Sequence, residues 1–277
     1  MNMLKFVHNI PWRIVGYFFL AAIGLFGIGM LMSLVKTKDT VQICTSMKVM
    51  VEGKETFIDQ HDISDLVNKE FGRIVGTELA TLPSEQIEKA LLKLPYVATA
   101  EVHADMDGVL QIAVTQREVI LRIVNNVGQE YYVDTDGAKV PVTLKYVPHV
   151  LVANGNITEG YKTALDTIQT QLVKDLLSIV KHVKNDPLWS NQIVQLFVNE
   201  QKDIEIIPRV GTQQLLLGDA DNLDGKLDRL SIFYTKILPK VGSDAYKTVN
   251  VKFDDQIICE RKGSWVLDSL QMKLKMN

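Results

Sequence analysis

Hydrophobic and polar positions change period several times along this chain. Residues 14–35, opening at Ile14 and closing at Val35 (IVGYFFLAAIGLFGIGMLMSLV), carry no charge. Twenty-two helical residues at about 1.5 Å each rise about 33 Å, enough for a hydrocarbon core of roughly 30 Å. This predicts an uncleaved transmembrane anchor. A cleaved signal peptide has a shorter apolar run and a small-residue cleavage site, whereas this run closes on Leu-Val-Lys. Alternation begins next: Val41, Ile43, Met47, Val49 and Val51 read as a strand ending at the Glu52-Gly53 turn. Helical spacing then appears twice. Ile63, Leu66, Val67 and Phe71 follow a capping Asp62 and precede Gly72; Ile87, Leu91 and Leu94 lie between Ser84 and Pro95.

Past Pro95 the period returns to two. Val97, Ala98, Ala100, Val102 and Ala104 lead to an Asp107-Gly108 turn, and residues 109–115 (VLQIAVT) alternate as the return strand. The order strand, helix, helix, strand, strand predicts two helices packed on one face of a three-stranded sheet. Farther on, residues 161–183 read as a helix with Leu165, Ile168, Leu172, Leu176 and Ile179 on its apolar side, ending before Asn185-Asp186-Pro187. Strands follow at 193–198, 204–208 and 213–217, the last two joined by Val210-Gly211-Thr212. Residues 249–253 alternate cleanly, and 257–260 continue after Asp254-Asp255-Gln256. In the tail, Leu270, Met272, Leu274 and Met276 alternate with polar residues, including lysines of the kind that blunt edge pairing.

Charge adds orientation and excludes one partner class. Lys5 and Arg13 flank the apolar run on one side without an acidic residue, while Lys36 and Lys38 stand beside Asp39 on the other. The bias mildly favours a cytoplasmic N-terminus, with Trp12 at the interface and the larger part outside the cytoplasm. Beyond position 35 there are 28 basic residues against 33 acidic ones, a net of −5, so no nucleic-acid surface is implied. Cys44 and Cys259 stand far apart in the chain and are expected to be unpaired thiols.

No catalytic constellation is evident. The histidines at 8, 61, 103, 149 and 182 lack metal-ligand spacing, and neither G-x-S-x-G nor a phosphate loop occurs. Asp134-Thr-Asp136-Gly137 lacks the ligand order of a calcium loop and reads as a hairpin turn. In the acidic run from Asp219 to Gly225 the glycine falls one place too late for an EF-hand, and helix capping explains the run better. The N-x-T at Asn156 reads as a loop asparagine. No cofactor or metal is expected, and no enzymatic activity.

A family resemblance organises these pieces. The stretch from Leu94 (LPYVATAEV), its Asp-Gly turn and the strand running into Gln116-Arg117-Glu118-Val119 resemble the POTRA domain of the FtsQ/DivIB cell-division family. Gly128-Gln-Glu-Tyr-Tyr-Val-Asp-Thr-Asp-Gly resembles that family's tyrosine-aspartate-glycine hairpin. Lys145-Tyr-Val-Pro-His-Val-Leu-Val resembles its "LPxLxG" segment, with Val147 for leucine and the glycine displaced to Gly155. The run from Asn222 resembles an "LG…KL" motif, in which Lys226 matches the lysine. The resemblance covers nearly the whole chain. It implies an α+β architecture: a single N-terminal transmembrane helix, then a POTRA-like β-α-α-β-β domain and a C-terminal mixed α/β "β domain" with a largely antiparallel sheet. The expected divisions are a cytoplasmic tail at 1–13, the transmembrane helix at 14–35, the POTRA-like domain at 36–119, the β domain at 120–260 and a tail at 261–277.

The resemblance also implies a role. Family members act as non-enzymatic divisome scaffolds at the septum, in the cytoplasmic (inner) membrane, and regulate septal peptidoglycan synthesis. In them the last strand of the β domain receives a strand from FtsB, FtsL joins through FtsB, and the POTRA module contacts upstream divisome proteins. Carried over, the partner-binding residues are Val249, Val251, Phe253, Asp255, Ile257, Cys259 and Arg261, with Phe253 where the family has a contacting tyrosine. Arg261 falls where some members have a contacting tryptophan, and Trp265 is a candidate for that aromatic role. The competing reading of the strand is that it closes its own sheet. Two other functions are weighed: outer-membrane protein transport or assembly, which also uses POTRA domains but continues into a barrel not seen here, and a tethered cell-wall hydrolase.

Overall fold

Alternation is sharpest in β3 (Val109–Gln116), where Leu110, Ile112, Val114 and Gln116 are buried and the residues between them are half-buried. It is the middle strand of a three-stranded sheet ordered β1-β3-β2, with β1 at Ser46–Glu52 and β2 at Val97–Ala104. A central strand has no wet edge, so the buried Gln116 amide must be satisfied internally. Its Oε1 accepts from the Ile58 N–H at 3.1 Å and its Nε2 donates to the Glu55 carbonyl at 2.7 Å.

The computed structural model describes residues 12–39, 42–242 and 245–263. The chain divides into two units: residues 1–50, 60–89 and 100–113, and residues 51–59, 90–99 and 114–277. The first holds α1 (Trp12–Asp39), α2 (Gln60–Phe71) and most of α3 (Ser84–Leu91). Helix α2 begins two residues before the expected cap, so Asp62 sits within its first turn, where a carboxylate favours the positive helix end. Ile63, Val67, Ile87, Leu110 and Ile112 are fully buried.

The transmembrane anchor expected over residues 14–35 is not supported. Among the described residues no helix is long and apolar enough to cross a membrane. The α+β modules remain; the span and the orientation argued from it do not. The tail pattern from Leu270 to Met276, and Trp265, lie outside the described residues.

The second unit is built on nine strands: β4 (Val119–Val124), β5 (Glu130–Asp134), β6 (Lys139–Pro141), β7 (Leu151–Gly155), β8 (Ile193–Val198), β9 (Ile204–Pro208), β10 (Gln214–Gly218), β11 (Tyr246–Asn250) and β12 (Ile258–Arg261). Their order is β12-β11-β10-β9-β8-β7-β4-β5-β6. The pairs β4/β7, β7/β8 and β10/β11 are parallel and the others antiparallel. Parallel neighbours need a crossover. Helices α4 (Gln171–Asn185) and α5 (Trp189–Gln192) connect β7 to β8, and α6 (Leu223–Ile232), a π-helical turn (Phe233–Ile237) and α7 (Leu238–Val241) connect β10 to β11. The wide turn falls just before Pro239, which has no N–H to donate back to the Thr235 carbonyl.

The helix expected over 161–183 starts later. Leu165 adopts a left-handed φ of 62°, incompatible with a right-handed helix, and α4 begins only after Thr170, whose hydroxyl accepts from the Val173 N–H. The preceding segment is pinned by a buried cation. Lys139 Nζ meets Glu159 Oε1, Asp166 Oδ2 and the Gly160 carbonyl, each at 2.9 Å, with only 2% of its side chain exposed. From there Val173, Leu176, Ile179, Val180 and Val183 bury one side of α4 in the same core as Leu196, Ile206, Leu215 and Val249.

Candidate partner-binding edge

The residues proposed to bind a partner do not form one strand. Val249 lies in β11, between β10 and β12, and Val251 donates its N–H to the Leu216 carbonyl at 3.0 Å. Both side chains are fully buried in the core. The chain then turns: Phe253 is 47% exposed, and Asp255 is exposed with a left-handed φ of 56°. Ile257 and Cys259 are half-buried against the core, and Arg261 is exposed with its guanidinium 5.9 Å from the Tyr246 ring. Trp265 lies outside the described residues.

The edge itself is β12, whose four residues pair antiparallel with β11 through Ile258↔Asn250, Cys259↔Val249, Glu260↔Thr248 and Arg261↔Tyr246. Among the described residues no strand pairs with its other side. One face carries the exposed Ile258 and Glu260, the latter 3.5 Å from Lys247. Burial pushes the Cys259 thiol above its ordinary value, which keeps it protonated and poorly nucleophilic. Both cysteines are free.

Three polar contacts brace the turn before this edge. The buried Arg229 of α6 donates from Nη2 to the Val251 carbonyl at 3.0 Å. Lys252 Nζ forks onto both carboxylate oxygens of Asp203, at 2.7 and 3.0 Å. Asn222 Nδ2 donates to Asp254 Oδ1 at 3.3 Å. Period reasoning misses all three, because they join residues 22 to 49 positions apart. The one available signal is an arginine at the apolar side of a helix, between Leu227 and Leu230.

Lys226 is a structural residue. Its side chain is 3% exposed, and Nζ donates to Asp219 Oδ1 at 2.6 Å and to the Asp219 carbonyl at 3.1 Å. That hydrogen bond holds the Asp219 carboxyl below its ordinary value. The expected side-chain cap is not made: Asn222, at the N-cap with φ 48°, turns its amide to Asp254. Other motif residues also meet within the second unit. Arg117 Nη1 contacts Asp134 Oδ2 at 2.8 Å, its N–H reaches the Tyr96 carbonyl at 2.8 Å, and Tyr96 stacks on Phe57 at 5.2 Å. Asp134 Oδ1 accepts from the Asp136 and Ala138 N–H groups, a turn rather than an ion loop.

The comparison that decides the family concerns this second unit. A family model described as FtsQ/DivIB, C-terminal related, matches residues 118–260, more than half of the chain. The chain belongs to the FtsQ/DivIB family. A second model, for a POTRA-like domain, matches residues 42–115. No curated protein matches the chain at a significant level. The chain carries the POTRA-like domain first and the FtsQ/DivIB C-terminal related domain after it, the combination of a division-related POTRA scaffold.

Proposed function

We propose that this FtsQ/DivIB-family protein is a non-enzymatic divisome scaffold acting at the division septum by strand addition on the outer side of β12. The supporting observation is that β12 ends the nine-strand order with no strand on its outer side among the described residues, while the turn before it is braced by Arg229, Asp203 and Asn222. A fixed edge suits β-augmentation: unpaired backbone groups supply affinity, and alternating side chains supply selectivity. The added strand belongs to an FtsB-like protein, with an FtsL-like protein joining through it. The POTRA-like module contacts upstream division proteins, and the assembly regulates septal peptidoglycan synthesis.

Of the residues inferred from the family, this proposal keeps Phe253, Asp255, Ile257, Cys259 and Arg261 as the contacting set and adds Ile258 and Glu260. Val249 and Val251 serve the core instead. The test is a pull-down and titration of the FtsB-like partner against Phe253→Asp and Ile258→Asp, two exposed positions. A loss of tenfold or more in affinity with an unchanged melting curve is expected. Unchanged binding by both folded variants sinks the edge-strand mechanism.

A further inference from the structure

In the second unit, the start of β4, the chain entering β7, the last turns of α4 and the short α5 surround a cavity of about 300 Å³. That is the lower end of the roughly 300 to 1,000 Å³ of small-molecule sites. Part of its lining is aliphatic: Ile120, Val180 and Val183 are buried and Leu151 is half-buried. The rest is polar. Glu118 and Lys184 line it 2.7 Å apart and neutralise each other, with His149 and Ser190 exposed beside them.

Glu55, the other carboxylate of the lining, has no such counterion. Tyr146 donates its hydroxyl to one oxygen, and Oε2 is enclosed with no hydrogen-bond partner among the described residues. Enclosed carboxylate oxygens are nearly always given a donor, so this one calls for a reason. Its place is fixed: Gln116 Nε2 holds the Glu55 backbone carbonyl at 2.7 Å, and Tyr146 stands edge-on to Phe57 with ring centroids 5.2 Å apart. The cavity therefore joins an aliphatic wall to one unmatched negative charge. Such a lining complements a cation on an apolar stem. A guanidinium fork takes both oxygens of a carboxylate, and Tyr146 already holds one; an ammonium is a point charge with three rotatable donors.

We propose that this cavity binds a primary ammonium on an aliphatic chain, with the nitrogen at Glu55 and the methylenes along Ile120, Leu151, Val180 and Val183. Free alkylamines carry that chemistry, and so does a lysine side chain of another protein, whose stem is four carbons long. None of the lining residues lies on β12, so the site stands or falls apart from strand addition there.

The experiment measures dissociation constants for the full chain by saturation-transfer NMR, using n-pentylamine, N-acetyl-lysine methylamide and their neutral counterparts n-pentanol and N-acetyl-norleucine methylamide. At least one amine is expected to bind about tenfold or more tightly than its neutral counterpart, and more tightly than its guanidinium counterpart. Binding of pentylamine alone identifies a free amine as the ligand, and binding of the capped lysine identifies a protein side chain. Glu55→Gln, which keeps the shape of the side chain, brings the amine to within about twofold of the neutral probe, while Glu101→Gln, exposed on β2, leaves it unchanged. Ser190→Phe, at an exposed position of the lining, fills the cavity and weakens every probe about fivefold or more without moving the melting curve. Equal affinity for charged and neutral probes, no saturable binding of either amine, a guanidinium probe that binds as tightly, or amine binding unchanged in folded Glu55→Gln or Ser190→Phe each overturn the proposal.

Discussion

Replacing Lys139 by methionine keeps the length of the side chain and removes the one cation between Glu159 and Asp166. In the native protein burial pushes the Glu159 carboxyl up, but hydrogen bonds from Thr170, Lys139 and Gln169 outweigh it and hold it below its ordinary value. Asp166 is likewise held low against its own desolvation, chiefly by Lys139. Breaking a buried ion pair from one side costs about 3–5 kcal/mol. The lower end applies here, because Glu159 keeps the Gln169 and Thr170 N–H donors at 2.8 Å and the Asp166 side chain is 18% exposed. A loss of about 3 kcal/mol at neutral pH is therefore expected, measured by urea denaturation with the slope checked for constancy. Depressed carboxylate pKa values contribute stability above their unfolded values near 4 and lose it as pH falls through the folded values. The variant lacks the cation that depresses them, so the two proteins should converge as pH drops below about 4. A cost under about 1 kcal/mol at neutral pH, or a gap that does not narrow in acid, would refute the account of Lys139 as the pin of this loop.

Three further outcomes follow from local geometry. Gly155→Ala is expected to cost about 2 kcal/mol or more by thermal or urea melting, because φ there is 103° and an added Cβ would meet the Val198 carbonyl oxygen at 2.2 Å. Leu176→Ala, fully buried on α4, should cost about 2–5 kcal/mol through the cavity it leaves, and a folded variant within 1 kcal/mol of the parent would contradict that burial. Glu118→Gln removes the 2.7 Å contact to Lys184, but both side chains are about half exposed, so less than about 1 kcal/mol should be lost and less still in high salt.

Strands of the second unit were readable because their neighbours bury one face: β8 and β9 fall where alternation put them, and β10 within one residue. Period reasoning failed where a single long-range contact overrides it. Leu165 and Ile168 extend the helical spacing of α4 backwards, yet the Lys139 cluster and the left-handed Leu165 hold that stretch as a loop. Val249, Val251 and Phe253 share one alternation, but it carries two of them into the core and ends at a turn; the edge begins at Ile258. A resemblance aligned residue by residue cannot see that break, and the uncharged N-terminal run likewise predicted a span the described helix does not support.

The parallel pairing of β10 with β11 has a consequence for synthesis. β9 and β10 are neighbours in sequence, whereas β11 arrives only after the crossover through α6 and α7. While a ribosome is still making that crossover, β10 is the last strand of the growing sheet, and it carries Leu215 and Leu217, both fully buried in the finished core. An open apolar edge of that kind invites wrong pairing. Completion of the C-terminal hairpin therefore both covers a sticky edge and creates the edge proposed above for strand addition.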